Sequence, residues 1–216
     1  MNHLIELKAL LGNCPKYIAD QFITEEVEEG IVLMEQGSRA RQVIFLIEGR
    51  VNIYRLALNG INMLEYEYGN YEMIGEVEAL NGMEILSNVV TVRKCKIVRI
   101  DNELFREWIN VDRAFNDYVL KQLADKLYEA CLNTEINMAY PMKYKVLYYL
   151  LTQAKKGHKY IPKDELVAAI AGRLRSTNRV LSDLAEEDMI ELDVGMIKIV
   201  DLAAIQNQMK AFENKS

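Results

Sequence analysis

At 216 residues with 50% hydrophobic content, the chain can bury one large core or two modest ones, and two are expected. Its 32 acidic against 26 basic residues give a formal net charge of −6, which excludes a surface basic all over but leaves room for one basic face. Cys14, Cys95 and Cys131 are odd in number, far apart and without a C-x-x-C pair, which excludes a disulfide framework and the ligand spacing of zinc or iron–sulfur sites.

No metal is therefore expected. The opening MNHLIELKALLGNC has no basic n-region, Glu6 and Lys8 interrupt its leucines, and no apolar run elsewhere reaches the roughly 18 residues of a membrane span. A soluble protein of the reducing cytoplasm is expected, with no membrane partner. With two histidines, no Gly-rich phosphate loop and no nucleophile motif, an enzyme is not expected.

Up to about Phe22, Leu4, Leu7, Leu10 and Leu11 recur at three-and-four spacing, predicting a helix punctuated by Pro15. From about Glu28 to Ile100 the period becomes two, with turn residues at Gln36-Gly37-Ser38, Glu48-Gly49, Asn59-Gly60, Gly69-Asn70 and Asn81-Gly82. Short strands joined by tight turns predict a β-sandwich or small barrel. Within it VIFLIEGRVNIYRL reads as strands Val43 to Ile47 and Arg50 to Leu56, an ordinary hairpin hinged at Glu48-Gly49. In the second strand Val51, Ile53 and Leu56 alternate with Arg50, Asn52 and Arg55, as a half-buried strand should.

After Asn110 the helical period returns and persists to about Ala139. Leu120, Leu123, Leu127, Ala130 and Thr134 are spaced as a heptad seam, while Lys121, Asp125, Lys126, Glu129 and Glu135 lie off it. A helix of about 27 residues is about 40 Å long, more than one small β-domain can cover, so the stripe reads as a self-association seam; packing on its own chain is the alternative. Pro141 ends the pattern and marks a boundary. The expected organisation is residues 1–110, a β-domain; 111–139, the long helix; and 140–216, a second domain.

That second domain begins with a helix from about Met142 to Lys155 and a turn at Lys156-Gly157-His158. Pro162 then opens a helix to about Ala171, with Leu166, Val167 and Ile170 buried and Asp164 and Glu165 suiting its N-terminal dipole. After a turn at Gly172, a helix from about Leu174 to Glu187 repeats Leu174, Thr177, Val180, Leu181 and Leu184 at three and four. Arg175, Ser176, Asn178, Arg179 and Ser182 fall on its outer side, with Arg173 just ahead. Arginine offers a planar fork for guanine, asparagine pairs with adenine, and hydroxyls reach phosphate or base. Asp183, Glu186, Glu187 and Asp188 then reverse the sign, so only the first two turns suit a groove, as in a helix-turn-helix. Short strands Met189 to Leu192 and Met196 to Val200 around Asp193-Val194-Gly195 form a wing, with Lys198 a candidate phosphate contact and KKGHK, Lys155 to Lys159, further backbone contacts.

With LIEGRVNIY at Leu46 to Tyr54, IGE at Ile74 to Glu76, the heptad helix and ELVAAIAGRLRSTNRVLSDL at Glu165 to Leu184 in this order, the chain resembles the Crp/Fnr superfamily of bacterial transcription regulators. The resemblance implies an α+β chain: an N-terminal β-roll, a cyclic-nucleotide-binding-like jelly roll; a long dimerisation helix; and a C-terminal winged helix-turn-helix. It further implies a homodimer on double-stranded DNA with a near-palindromic operator, reading helices about 34 Å apart, and RNA polymerase as a partner. Arg175, Ser176 and Arg179 match the family's DNA-contacting positions; Arg173 stands where the family usually places a serine or threonine N-cap.

In cyclic-nucleotide-binding members, a segment like GEVEAL supplies a glutamate for the ribose hydroxyl, and an arginine followed by serine or threonine grips the phosphate. Gly75 and Glu76 match the first part; Leu86 stands in the arginine's place and leaves only Ser87 of the pair. A leucine cannot compensate a phosphate, so no cyclic nucleotide is expected in the usual mode, though another small-molecule effector is compatible with the roll. Asn88, Leu123, Leu127 and Tyr128 would face such a ligand if the family pocket persists. A haem ligand would have to come from His3 or Cys14, each more ordinary as a surface histidine and a buried thiol. The expected function is a sequence-specific DNA-binding regulator, either switched by population shift at the roll or always active. The alternative is a small-molecule-binding or protein-interaction module whose winged helix does not read DNA.

Overall fold

Val43, Ile44, Phe45 and Leu46 are all buried, so this strand has no solvent side and its sheet must be covered on both faces. In the computed structural model, which describes residues 2–57, 60, 62–170 and 174–213, the chain divides into two compact units, residues 1–129 and 130–216. The division falls inside the long helix.

The first unit opens with helices α1 (Asn2–Asn13) and α2 (Lys16–Ala19), followed by strands β1 (Ile23–Val27), β2 (Val32–Met34), β3 (Gln42–Glu48), β4 (Val51–Leu56), β5 (Asn62–Tyr68) and β6 (Glu72–Ile74). Helix α3 (Glu76–Asn81), strands β7 (Asn88–Thr91) and β8 (Cys95–Asp101), and helices α4 (Asn102–Val111) and α5 (Arg113–Ala139) complete it. The strands make two antiparallel four-stranded sheets, ordered β1-β8-β3-β6 and β2-β7-β4-β5, the layers of a jelly roll. Between them lie Ile44, Leu46, Val51, Ile53, Ile74, Val89 and Ile97; the opposite face of the first sheet, with Val43, Phe45, Val98 and Ile100, packs against Leu7, Phe105, Trp108, Phe115 and Val119 from the helices.

Four expectations need correction here. Strands β3 and β4 are not a hairpin, because they belong to different sheets and the link at Gly49 crosses between layers. Gly49 has φ 125°, and a Cβ there would meet the Cα of Cys95 at 2.8 Å, so glycine alone fits. Asn52 is 2% exposed rather than outward, its amide nitrogen donating to the Tyr54 hydroxyl at 2.8 Å, while Leu56 is exposed. Asn81-Gly82 ends helix α3 with Gly82 at φ 71° and does not join two strands. Helix α4 and strand β1 were not anticipated; α4 is only ten residues long and buries just Phe105 and Trp108.

Asp112 separates α4 from α5. Its carboxylate accepts from the amides of Ala114 (3.0 Å) and Phe115 (3.2 Å) at the start of α5, and its second oxygen accepts from the indole Nε1 of Trp108 (3.1 Å). Trp108 is fully buried and stacks on Phe115 with ring centroids 3.6 Å apart. Along α5 the residues turned to the roll are Phe115, Tyr118, Val119 and Gln122. On the expected seam Leu120 and Leu127 are exposed, Leu123 is half-buried against the roll's helical layer, and Thr134 bonds back to the Ala130 carbonyl.

The second unit contains α6 (Met142–Lys155), β9 (Tyr160–Pro162), α7 (Lys163–Ala169), α8 (Leu174–Glu186), β10 (Ile190–Asp193), β11 (Met196–Ile199) and α9 (Leu202–Glu213). Its core joins Leu147 and Leu150 of α6 to Leu166, Val180, Leu181, Leu184, Ile190 and Ile197. Strand β9 and helix α9 were not anticipated; β9 adds a third strand to the β10–β11 hairpin, and α9 contributes Ile205 and Met209 to the core. No helix among the described residues is long and apolar enough to cross a membrane.

Asp112→Ala removes a helix cap and leaves a buried indole N–H unpaired, so it should destabilise the first unit by about 2–4 kcal/mol in urea unfolding.

Candidate nucleic-acid interface and effector pocket

Helix α8 is strongly two-sided. Thr177, Leu181 and Leu184 are fully buried and Val180 nearly so, which turns Arg175, Arg179 and Ser182 outward. Ser176 and Asn178 are half-buried on its flank, and the Asn178 amide oxygen is enclosed without a hydrogen-bond partner among the described residues. Leu174, expected on the apolar face, is 59% exposed because it occupies the first turn, before the helix reaches the core. Arg173 and the turn at Gly172 lie outside the described residues. Asp183 and Glu186 are exposed along the same helix, so its outer surface changes sign about two turns in.

Lys198 projects from the wing, yet its ammonium lies 2.6 Å from the Glu191 carboxylate on the neighbouring strand. The side-chain hydrogen bond and charge of Glu191 hold the Lys198 pKa above its ordinary value, and a local acid cancels its field. Lys155, Lys156 and Lys159 are exposed; His158 is half-buried with Nδ1 2.9 Å from Oε1 of Gln153.

In the roll, Gly75 adopts φ 87° at the start of α3, and a Cβ there would stand 2.5 Å from Cε of Met34 and 3.2 Å from the Gln42 carbonyl. The next residue, Glu76, is 2% exposed. Its carboxylate lies 2.6 Å from the Lys126 ammonium of α5, which also donates to the Met73 carbonyl at 3.0 Å and sits 4.8 Å from the centre of the Tyr68 ring. Burial opposes the Lys126 charge, but Glu76 and Tyr68 outweigh it and hold its pKa above the ordinary value.

The other end of the expected pocket is arranged differently. Leu86 is 55% exposed, and Ser87, buried, donates its hydroxyl to Glu65 at 2.5 Å. The other Glu65 oxygen lies 2.9 Å from Nε of Arg55. Asn88 accepts from the Gln36 amide at 3.0 Å. Leu127 and Tyr128 are 66% and 67% exposed, so within this chain they do not line the pocket. Helical rotation explains the exchange: Lys126 continues the buried face of Tyr118, Val119 and Gln122, and Leu127 and Tyr128 turn away from it.

Lys126, Glu65, Arg55 and Tyr68 were therefore missed as pocket residues. For Lys126 a signal existed, since it lies four residues after Gln122 and seven after Val119. Cys14 is half-buried, and burial, then the Asp112 charge, push its thiol up to about 12. Among the described residues no cluster of His, Cys, Asp or Glu has the makings of a metal site.

These parts define a class of protein: a β-roll of the cyclic-nucleotide-binding kind and a long helix, followed in the chain by a winged helix. The cyclic nucleotide-binding domain family matches residues 24–112. The chain is 25% identical over 181 residues to the cyclic AMP receptor protein of Thermus thermophilus, covering 82% of this chain and 84% of the relative. It is also 25% identical over 182 residues to the CRP-like cAMP-activated global transcriptional regulator of Mycobacterium tuberculosis, covering 80% and 81%. In fold it is similar to a crp/fnr-family regulator from Eubacterium rectale, with TM-score 0.79, 16% identity and 97% and 100% of the two chains covered. The c-di-GMP responsive global regulator CLP of Xanthomonas campestris gives 0.78, 12% identity and 91% and 98% coverage. The chain is thus similar, in sequence and in fold, to regulators of the CRP and crp/fnr kind.

Gly75→Ala should cost about 2 kcal/mol or more in thermal unfolding, because a strained φ and the contact with Met34 combine.

Proposed function

We propose that this chain is a sequence-specific DNA-binding transcription regulator that acts as a dimer and does not use a cyclic nucleotide in the usual mode. The observation that carries the reading is α8: Arg175 and Arg179, one turn apart, stand exposed on a helix whose opposite side is locked into the core. A helix so anchored presents two guanidinium forks without rearranging, and arginine is the side chain best matched to the guanine edge and to phosphate. The change of sign beyond the second turn restricts the approach to the helix's start. Lys198 contributes less than its position suggests, since Glu191 already neutralises it.

The exposed Leu120 and Leu127 on α5 supply an apolar stripe for a second copy, which is what a twofold operator requires. At the roll, the Leu86 position offers no cation for a phosphate. The Ser87 hydroxyl is engaged by the Glu65 carboxylate, itself paired with Arg55, so an incoming phosphate would have to break that arrangement to reach it.

Selection of duplexes from a random pool by the full-length protein tests this. An enriched inverted repeat is expected, with affinity falling steeply as salt rises. Arg175→Ala and Arg179→Ala should each lower discrimination about 10- to 100-fold while leaving the oligomeric state unchanged. A pool that stays random at moderate salt, or discrimination unaffected by both substitutions, defeats the reading. Cyclic AMP, added in the same assay and in thermal unfolding, should change neither operator affinity nor Tm; a Tm that climbs with its concentration would count against that part.

A further inference from the structure

The Glu76 carboxylate is among the most enclosed charges of the first unit, and such a group needs a cation. The cation present is the ammonium of Lys126, 50 residues away in sequence, delivered from α5. Around that nitrogen stand a carboxylate oxygen at 2.6 Å, a main-chain carbonyl at 3.0 Å and an aromatic face at 4.8 Å. A carboxylate, a carbonyl and a π face are what a primary ammonium asks for: two directed acceptors and one quadrupole. Guanidinium would need a wider planar fork, and a phosphate finds nothing here but negative ends. Behind the cluster Tyr118 is 1% exposed, its hydroxyl enclosed without a hydrogen-bond partner among the described residues, so the site stays polar beyond the ion pair.

We propose that the pocket of this roll is a receptor for a primary ammonium whose resident is the protein's own Lys126, tying α5 to the roll without an exogenous ligand. The carboxylate that the family resemblance assigns to a ligand hydroxyl is already spoken for. A ligand seeking it must first withdraw Lys126, leaving a buried cation without its partner. The side chain thus acts both as occupant and as tether: its stem begins on α5, its head ends against β5, β6 and α3. The inference stands whether or not α8 reads DNA.

Lys126→Ala in the full-length protein removes a propylammonium fragment and leaves the receptor empty. Its Tm should fall by about 10 °C or more. Propylammonium chloride, on the order of tens of millimolar, should return part of that loss, whereas equal sodium chloride or 1-propanol should not. The double variant K126A/E76Q should gain nothing from the amine. Equal rescue by sodium, or equal rescue of the double variant, overturns the proposal. Because truncation can unfold the unit outright, a second cycle uses the bulkier neutral Lys126→Met with Glu76→Gln. Recovery in K126M/E76Q relative to either single variant supports the receptor, and strictly additive losses overturn it. None of these readouts involves a duplex, so failure here and failure of DNA binding are separately visible.

Discussion

A sheet whose middle strand is apolar on both sides cannot face water on either, and the first unit is organised by that constraint. Ile44 and Leu46 point to the second sheet; Val43 and Phe45 point away from it and need a second cover. That cover is helical: Leu7 from α1, Phe105 and Trp108 from α4, Phe115 and Val119 from α5. The stacked pair Trp108–Phe115 joins the two later helices, and Asp112 fixes the corner between them by serving both. Once the first two turns of α5 are held there, the rotation of the helix places Lys126 over Glu76. The polar cluster is thus a consequence of hydrophobic cover laid down a few turns earlier.

Much of this was legible in the sequence, and the failures have definite causes. The change from period two to period 3.6 near residue 110 marked the long helix, because α5 runs unbroken for 27 residues. The turn at Glu48-Gly49 was visible, but not that it crosses between sheets: a tight turn is equally compatible with both, and what decides is the packing of Gly49 against Cys95, a residue 46 positions later. Helix α4 escaped because it is short and follows directly on a strand, and its buried residues, Phe105 and Trp108, are few but large. Helix α3 escaped because Asn-Gly signals a hairpin and a helix end alike.

The site was read unevenly for a related reason. In α8 the outward arginines and the buried Thr177, Val180, Leu181 and Leu184 obey one helical period, so sequence spacing sufficed. Helix α5 carries two stripes. The heptad of Leu120, Leu123, Leu127 and Ala130 is regular and apolar, and it masked the second stripe of Phe115, Tyr118, Val119, Gln122 and Lys126, whose last member is charged. A lysine at the end of a buried face looks like surface until the acid that meets it is known, and Glu76 lies 50 residues upstream in a different element. Leu127 and Tyr128, taken from the family pocket, are turned away from their own roll by that rotation.

The distribution of charge bears on how an acidic chain can read a polyanion at all. In the proposed reading the cations enlisted for DNA among the described residues are Arg175 and Arg179 on α8, with Lys155, Lys156 and Lys159 at the end of α6 and beyond. Lys143 and Lys198 are paired with Glu187 and Glu191. So small a basic face gives one copy little non-specific affinity, which suits a regulator that must leave wrong sequences quickly. Useful affinity then has to come from two copies engaged together, where the second contact is intramolecular and its effective concentration high. In the proposed reading that places the burden on the exposed apolar stripe of α5, Leu120 and Leu127. In that reading the face toward the roll is closed by Lys126, and the other is the one offered to a partner copy.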